Sequence, residues 1–223
     1  YWARALETGD WTPPEGVTDP EIPHRAFFRA PGYPTFLALV YRICGDGYLW
    51  PRMVQMLLGL ASVVLVHALA RRCFGSLSAL VAAALQGSYW IFIYFEGEFM
   101  EPPLLIVLVL LTLVILARWS EQITIGSAAA AGIAAGLAAL VRPNMLALIP
   151  VFLLWGAWLE WRRRDAAHWS GFLRAAVVYA IAAALAILPA TLRNQRVAHD
   201  RVLITSNAGI NLFVGLHPQS DGY

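Results

Sequence analysis

Met53-Val54-Gln55-Met56-Leu57-Leu58-Gly59-Leu60-Ala61-Ser62-Val63-Val64-Leu65-Val66-His67-Ala68-Leu69-Ala70 runs straight into Arg71-Arg72. Read as a helix, residues 53–70 are apolar on almost every side, which suits hydrocarbon better than a two-faced surface helix. At about 1.5 Å per residue the stretch is about 27 Å long, close to the ~30 Å core of a bilayer. Five more blocks repeat the pattern, at 77–95, 103–118, 125–141, 145–160 and 172–190. The expected fold class is therefore all-α, a polytopic transmembrane helical bundle of about six spans. The segment 34–43 is apolar but too short to cross, and reads as an interfacial or re-entrant helix.

Composition agrees. Of 223 residues, 59% are hydrophobic and only 13% charged, and the mean hydropathy is +0.61, outside the range of soluble domains. The net charge of +2 is too small to suggest nucleic acid as a partner; membrane lipids are the expected surroundings. All 16 basic residues are arginine. Genome composition explains that bias, and so does selection for planar, bidentate phosphate binding. Cys44 and Cys73 fall on opposite sides of the membrane in the topology below, which forbids a disulfide, and neither belongs to a metal-ligand cluster.

Three regions follow: an outer, periplasmic loop with interfacial helices at 1–52, a transmembrane domain at 53–190, and an outer segment at 191–223. The first carries Pro13, Pro14, Pro20, Pro23 and Pro31, which stop any long helix after the first turns, and aromatic residues suited to the headgroup belt. Since the chain starts Tyr1-Trp2-Ala3-Arg4, without an initiator or signal pattern, it is expected to begin inside something larger and to be truncated at 223. Residues 125–141, with Gly126, Gly132, Gly136 and many alanines, have the small-residue spacing of a helix buried among others.

Arginine counts orient the bundle. Arg71, Arg72, Arg118, Arg162, Arg163, Arg164 and Arg174 gather in the loops after the first, third and fifth spans and at the start of the sixth, which puts those loops in the cytoplasm. The loops after the second and fourth spans, with both terminal segments, face outward. Arg142 breaks the rule: Val141-Arg142-Pro143-Asn144 is a tight turn between two apolar helices, where an arginine needs an anion to offset its desolvation. On the same face, Phe95-Glu96-Gly97-Glu98-Phe99-Met100-Glu101-Pro102 holds three carboxylates whose repulsion calls for arginine or a divalent cation, Mg or Mn, with Glu98 and Glu101 as candidate metal ligands. Glu101 alone is also explained as the cap of the helix begun by Pro102. Beyond the last span, Leu192-Arg193-Asn194 and Thr205-Ser206-Asn207-Ala208-Gly209-Ile210-Asn211 offer amides and hydroxyls to a sugar or phosphate, or form an ordinary turn.

In order and spacing, these outer strings resemble the GT-C superfamily of lipid-linked-sugar transferases, in particular bacterial members related to protein O-mannosyltransferases and aminoarabinose transferases. The resemblance rests on Trp2-Ala3-Arg4 through Gly9-Asp10-Trp11, Phe28-Arg29-Ala30-Pro31-Gly32-Tyr33-Pro34, Pro51-Arg52-Met53-Val54-Gln55, Ala70-Arg71-Arg72-Cys73-Phe74-Gly75, Glu96-Gly97-Glu98, Val141-Arg142-Pro143-Asn144 and Leu192-Arg193-Asn194 with the Ser206–Asn211 run. It implies transfer, with inversion, from a polyprenyl-phosphate-sugar donor to a lipid, glycan or protein acceptor at the outer face of a bacterial inner membrane. It also places the principal acidic base upstream of Tyr1. Glu98 and Glu96 are the acidic candidates within this sequence. Arg29, Tyr33, Arg142, Asn144, Arg193, Asn194, Ser206, Asn207 and Asn211 are the expected substrate contacts.

Two other readings fit the same residues. A transporter or flippase of an anionic amphiphile would also use arginines, though it would place polar groups near the bilayer midplane, where His67 and Gln86 are the main exceptions. A non-catalytic membrane subunit would use the outer loops to hold a partner.

Overall fold

The computed structural model describes residues 1–13, 15–16, 25–45, 47–119, 123–163, 166–199 and 201–206, and among them all regular structure is helical. Helix α1 (Trp2–Thr8) stops at Gly9, whose φ of 78° is left-handed, a turn that glycine makes without strain. The short helix α2 (Gly32–Cys44) covers the expected short helix at 34–43 and extends it at both ends.

The six expected spans are all present as helices, with one broken and two lengthened. Helix α3 (Leu49–Phe74) is the longest continuation of the stretch quoted first. The second block is divided into α4 (Ser76–Ser88) and α5 (Trp90–Gly97), bent by 50° at Tyr89. Helices α6 (Pro102–Arg118) and α7 (Ile125–Val141) have 17 residues each, the short end of what crosses a bilayer. A 3-10 turn, Pro143–Ala147, leads into α8 (Leu148–Arg163), and the two together are long and apolar enough to cross. Helix α9 (Ala166–Ala198) outruns its expected bounds and carries Pro189 inside it, a residue that membrane helices tolerate where neighbours satisfy the freed carbonyl.

Close packing of small residues holds the centre. Helix α7 buries Ala128, Ala131, Gly132, Ala134, Ala135, Gly136, Ala138 and Ala139, as its composition predicts. A Cβ on Gly132 would sit 2.3 Å from the Tyr179 carbonyl oxygen, and one on Gly136 would sit 2.6 Å from that of Ala183. The backbones of α7 and α9 thus touch, a contact that in lipid relies on dispersion because no hydrophobic drive remains. Helix α6 also packs on α7, and α3 bridges α6 to the α4–α5 pair. Long apolar side chains of α3, α4 and α8, among them Leu60, Val64, Leu80, Leu85 and Leu154, stay exposed at the periphery, as a lipid-facing surface requires.

The ends of the helices sort by chemistry. At one end, Arg72 donates its Nε to the Ala117 carbonyl at 2.9 Å, Trp119 donates to Ser127, and the Thr124–Ser127 capping box starts α7. At the other end lie α1, α2, the 95–101 turn, Arg142 and the last turns of α9 with residues 201–206. Cys44, the last residue of α2, and Cys73, in the last turn of α3, are both free.

Candidate active site

The second end of the bundle is built around three clasps. Gly32 fixes the first: a Cβ there would lie 2.6 Å from the backbone of Leu140 and Val141. Only glycine lets the start of α2 settle on the end of α7, immediately before Arg142.

The second clasp joins α3 to the acidic turn. Gln55 is fully buried; its Oε1 accepts from the Tyr33 hydroxyl at 2.8 Å, and its Nε2 donates to the carbonyls of Phe95 at 3.2 Å and Glu98 at 2.7 Å. One turn earlier, Arg52 donates its Nε to the Gly97 carbonyl at 3.0 Å and places its guanidinium over the Phe99 ring. Burial raises the Tyr33 phenol above its ordinary 10, with Tyr41 and Glu101 adding to the effect, so its hydroxyl keeps the proton it donates.

The third clasp joins α9 to the loops. Asn194 is fully buried; its Oδ1 accepts from the Phe27 amide at 2.9 Å, and its Nδ2 donates to the Ile204 carbonyl at 2.9 Å. Arg193 lies over the Phe27 ring at 4.2 Å and donates to the Arg25 carbonyl at 2.7 Å. Ser206 completes the clasp by donating its amide to the Phe27 carbonyl at 2.9 Å.

The expected contacts therefore divide. Arg142 donates to Glu101 at 2.8 Å, so the arginine of the tight turn has found its carboxylate. Glu101 occupies the N-cap position of α6 but makes no side-chain cap bond there. Glu98 is exposed, while the Glu96 carboxylate leans against Gly59, where a Cβ would meet it at 2.0 Å. The three glutamates do not converge: among the described residues no three His, Cys, Asp or Glu side chains gather as a metal site. Asn144 is exposed on the 3-10 turn and Arg29 on the loop before α2. Asn194 and Tyr33 spend their polar atoms on the protein itself, which makes them scaffold for their neighbours. Asn207 and Asn211 lie outside the described residues.

Two cavities open beside α2, one on each side of it. The polar one, about 900 Å³, is lined by Tyr1, Arg4, Asp10, Arg29, Tyr33 and Tyr48 among others. The apolar one, about 490 Å³, runs between α2, α6, α7 and α9 past Phe36, Leu104, Leu108, Leu137 and Pro189, and holds a single charged side chain, Arg193. Both volumes are in the range of small-molecule sites.

Asp10 and Gln55 are the residues that sequence reading misses. The Asp10 carboxylate is held below its usual pKa by hydrogen bonds from Thr12, side chain first and backbone second, so it stays ionised on the rim of the polar cavity. Its only signal is the Gly9-Asp10-Trp11 string. Gln55 gives a plainer signal, a lone amide near the start of an apolar span, which must find partners in the bundle.

Searches of curated proteins and of solved structures return no match. A family model, by contrast, matches residues 28–192, from the loop before α2 to the last turns of α9. Its span takes in Gly32, the Gln55 clasp, the glutamate turn and Arg142. The chain belongs to the dolichyl-phosphate-mannose-protein mannosyltransferase family, glycosyltransferases of the GT-C superfamily.

Proposed function

We propose that this chain supplies the substrate cavities of an enzyme that transfers a sugar from a polyprenyl-phosphate carrier to an acceptor at the outer face of a bacterial plasma membrane. The observation that carries the reading is the pair of unlike cavities divided by α2, one apolar with Arg193 in its wall, the other polar and aromatic. A polyprenyl chain suits the first, since each buried CH₂ contributes about 0.8 kcal/mol. Sugar and acceptor suit the second, where rings offer stacking faces and Asp10, Arg4 and Arg29 offer hydrogen bonds.

The chemistry is a displacement at the anomeric carbon. An acceptor hydroxyl attacks from the face opposite the phosphate, a new C–O bond forms, and the old bond breaks with its electron pair passing to the lipid phosphate. A carboxylate must take the hydroxyl proton, and Glu98 is the acidic group assigned here to the acceptor side. Charge growing on the phosphate is met by arginines already fixed in place, Arg142 by Glu101 and Arg193 by Phe27 and the Arg25 carbonyl. Such preorganised donors need little rearrangement as charge develops.

The test uses the full-length protein in detergent with a labelled polyprenyl-phosphate sugar and host membranes as acceptor. Label passing to acceptor, with release of polyprenyl phosphate, is the expected outcome. Detergent removes any meaning from vectorial transport, so absence of transfer under these conditions, with labelled donor still bound, would turn the assignment toward a flippase.

A further inference from the structure

Gln55 is not a substrate contact, since burial keeps it from either cavity, yet it joins the wall of one cavity to the acidic turn. Its amide accepts from Tyr33, which lines the polar cavity, and donates to the carbonyls of Phe95 and Glu98. Arg52 takes a third carbonyl of that turn, that of Gly97. Three backbone oxygens are thereby turned inward onto α3, while Glu98 itself is exposed. Among side chains of this size only an amide can accept on one side and donate twice on the other. A carboxylate would face two carbonyl oxygens, and a thioether of equal length would leave three polar groups unsatisfied, which raises the energy of the arrangement it replaces.

We propose that Gln55 is a positioning residue that couples Tyr33 to Glu98, holding the acidic turn and the wall of the polar cavity in one register, so that sugar transfer depends on an amide that never touches substrate. This rests on the transferase reading above for its kinetic consequence, and on geometry alone for its structural one. A misplacement of about 1 Å at a reacting group can lower rate by roughly a hundredfold.

The experiment has two arms. In the first, the full-length enzyme carries Gln55→Met, Tyr33→Phe or both. The expected result is a kcat for Gln55→Met down by roughly tenfold or more, donor KM within about twofold, and a double variant no slower than Gln55→Met alone, because both changes break the same link. Wild-type kcat in Gln55→Met, or additive losses in the double variant, would overturn the proposal. The second arm needs no activity. Spin labels at Glu7→Cys and Glu98→Cys, in a Cys44→Ser/Cys73→Ser background, should give a narrow distance distribution that broadens with Gln55→Met and, less so, with Tyr33→Phe. Tyr33→Phe removes one hydrogen bond only and guards against a misfolded Gln55 variant. An unchanged distribution in both overturns the coupling, whereas broadening without any sugar transfer by the parent enzyme would count against the functional reading instead.

Discussion

Arg142 brings both its Nε and an Nη to a single oxygen of Glu101, at 3.1 and 2.8 Å, and so spans the gap between the end of α7 and the start of α6. The pair is half open to solvent, the two side chains being 50% and 27% exposed. Exposed pairs of this sort contribute at most about 1 kcal/mol to stability. Arg142→Ala should therefore barely move Tm while lowering kcat/KM by about a hundredfold, the usual loss when one fixed donor is taken from a developing charge. A transfer assay with thermal unfolding on the same preparation checks both halves. Undiminished turnover removes Arg142 from the mechanism.

Gly32 has the opposite profile. Since its missing Cβ would fall 2.6 Å from the α7 backbone, Gly32→Ala must push α2 away from its seat, at about 1–3 kcal/mol for overpacking. Thermal unfolding in detergent should show a clear drop, and both cavities flanking α2 should change shape together. A variant as stable as the parent would mean that α2 sits further from α7 than described.

Asn194 should behave as scaffold. Asn194→Ala strands the Phe27 amide and the Ile204 carbonyl, and each buried unsatisfied group costs about 1–3 kcal/mol. The expected signature is a lowered Tm, with kcat/KM per folded molecule reduced far less than in Arg142→Ala. Loss of turnover at unchanged Tm would move Asn194 into the substrate site.

Arg193 lines the apolar cavity, stacked on Phe27. Arg193→Ala should raise donor KM by about tenfold, and Arg193→Lys should restore only part of it, since an ammonium lacks the planar fork that a phosphate and a ring both engage. Steady-state kinetics with varied donor distinguishes this from a uniform loss of active protein, which would lower kcat alone.

The bundle was legible from residues because hydrocarbon demands long apolar blocks, and 53–70, 125–141 and the others satisfy it plainly. Their bounds were less so. The bend at Tyr89 has no proline to announce it, and α9 extends well into polar sequence because Asn194 and Arg193 find partners on the loops. The burial of helix α7 is legible because small residues leave only one favourable use in lipid. Within the site, Arg142 demanded an anion and found Glu101. The glutamate trio does not gather: the Glu96 carboxylate leans on Gly59 of α3, Glu98 is exposed and Glu101 pairs with Arg142, an outcome of which neighbour each meets that residue type does not encode. The polar groups of Asn194 and Tyr33 stand out in the sequence, but whether such groups meet ligand or protein depends on contacts between segments 167 residues apart in one case and 22 in the other.

Impermeant maleimide labelling of intact cells tests the topology beneath every assignment. With the full-length protein bearing a single cysteine, Glu98→Cys in a Cys44→Ser/Cys73→Ser background should react from outside, and natural Cys73, left alone by Cys44→Ser, should react only after permeabilisation. The reverse pattern, Cys73 labelled and position 98 protected, would put the glutamate turn, Arg142 and α1 in the cytoplasm and contradict the account.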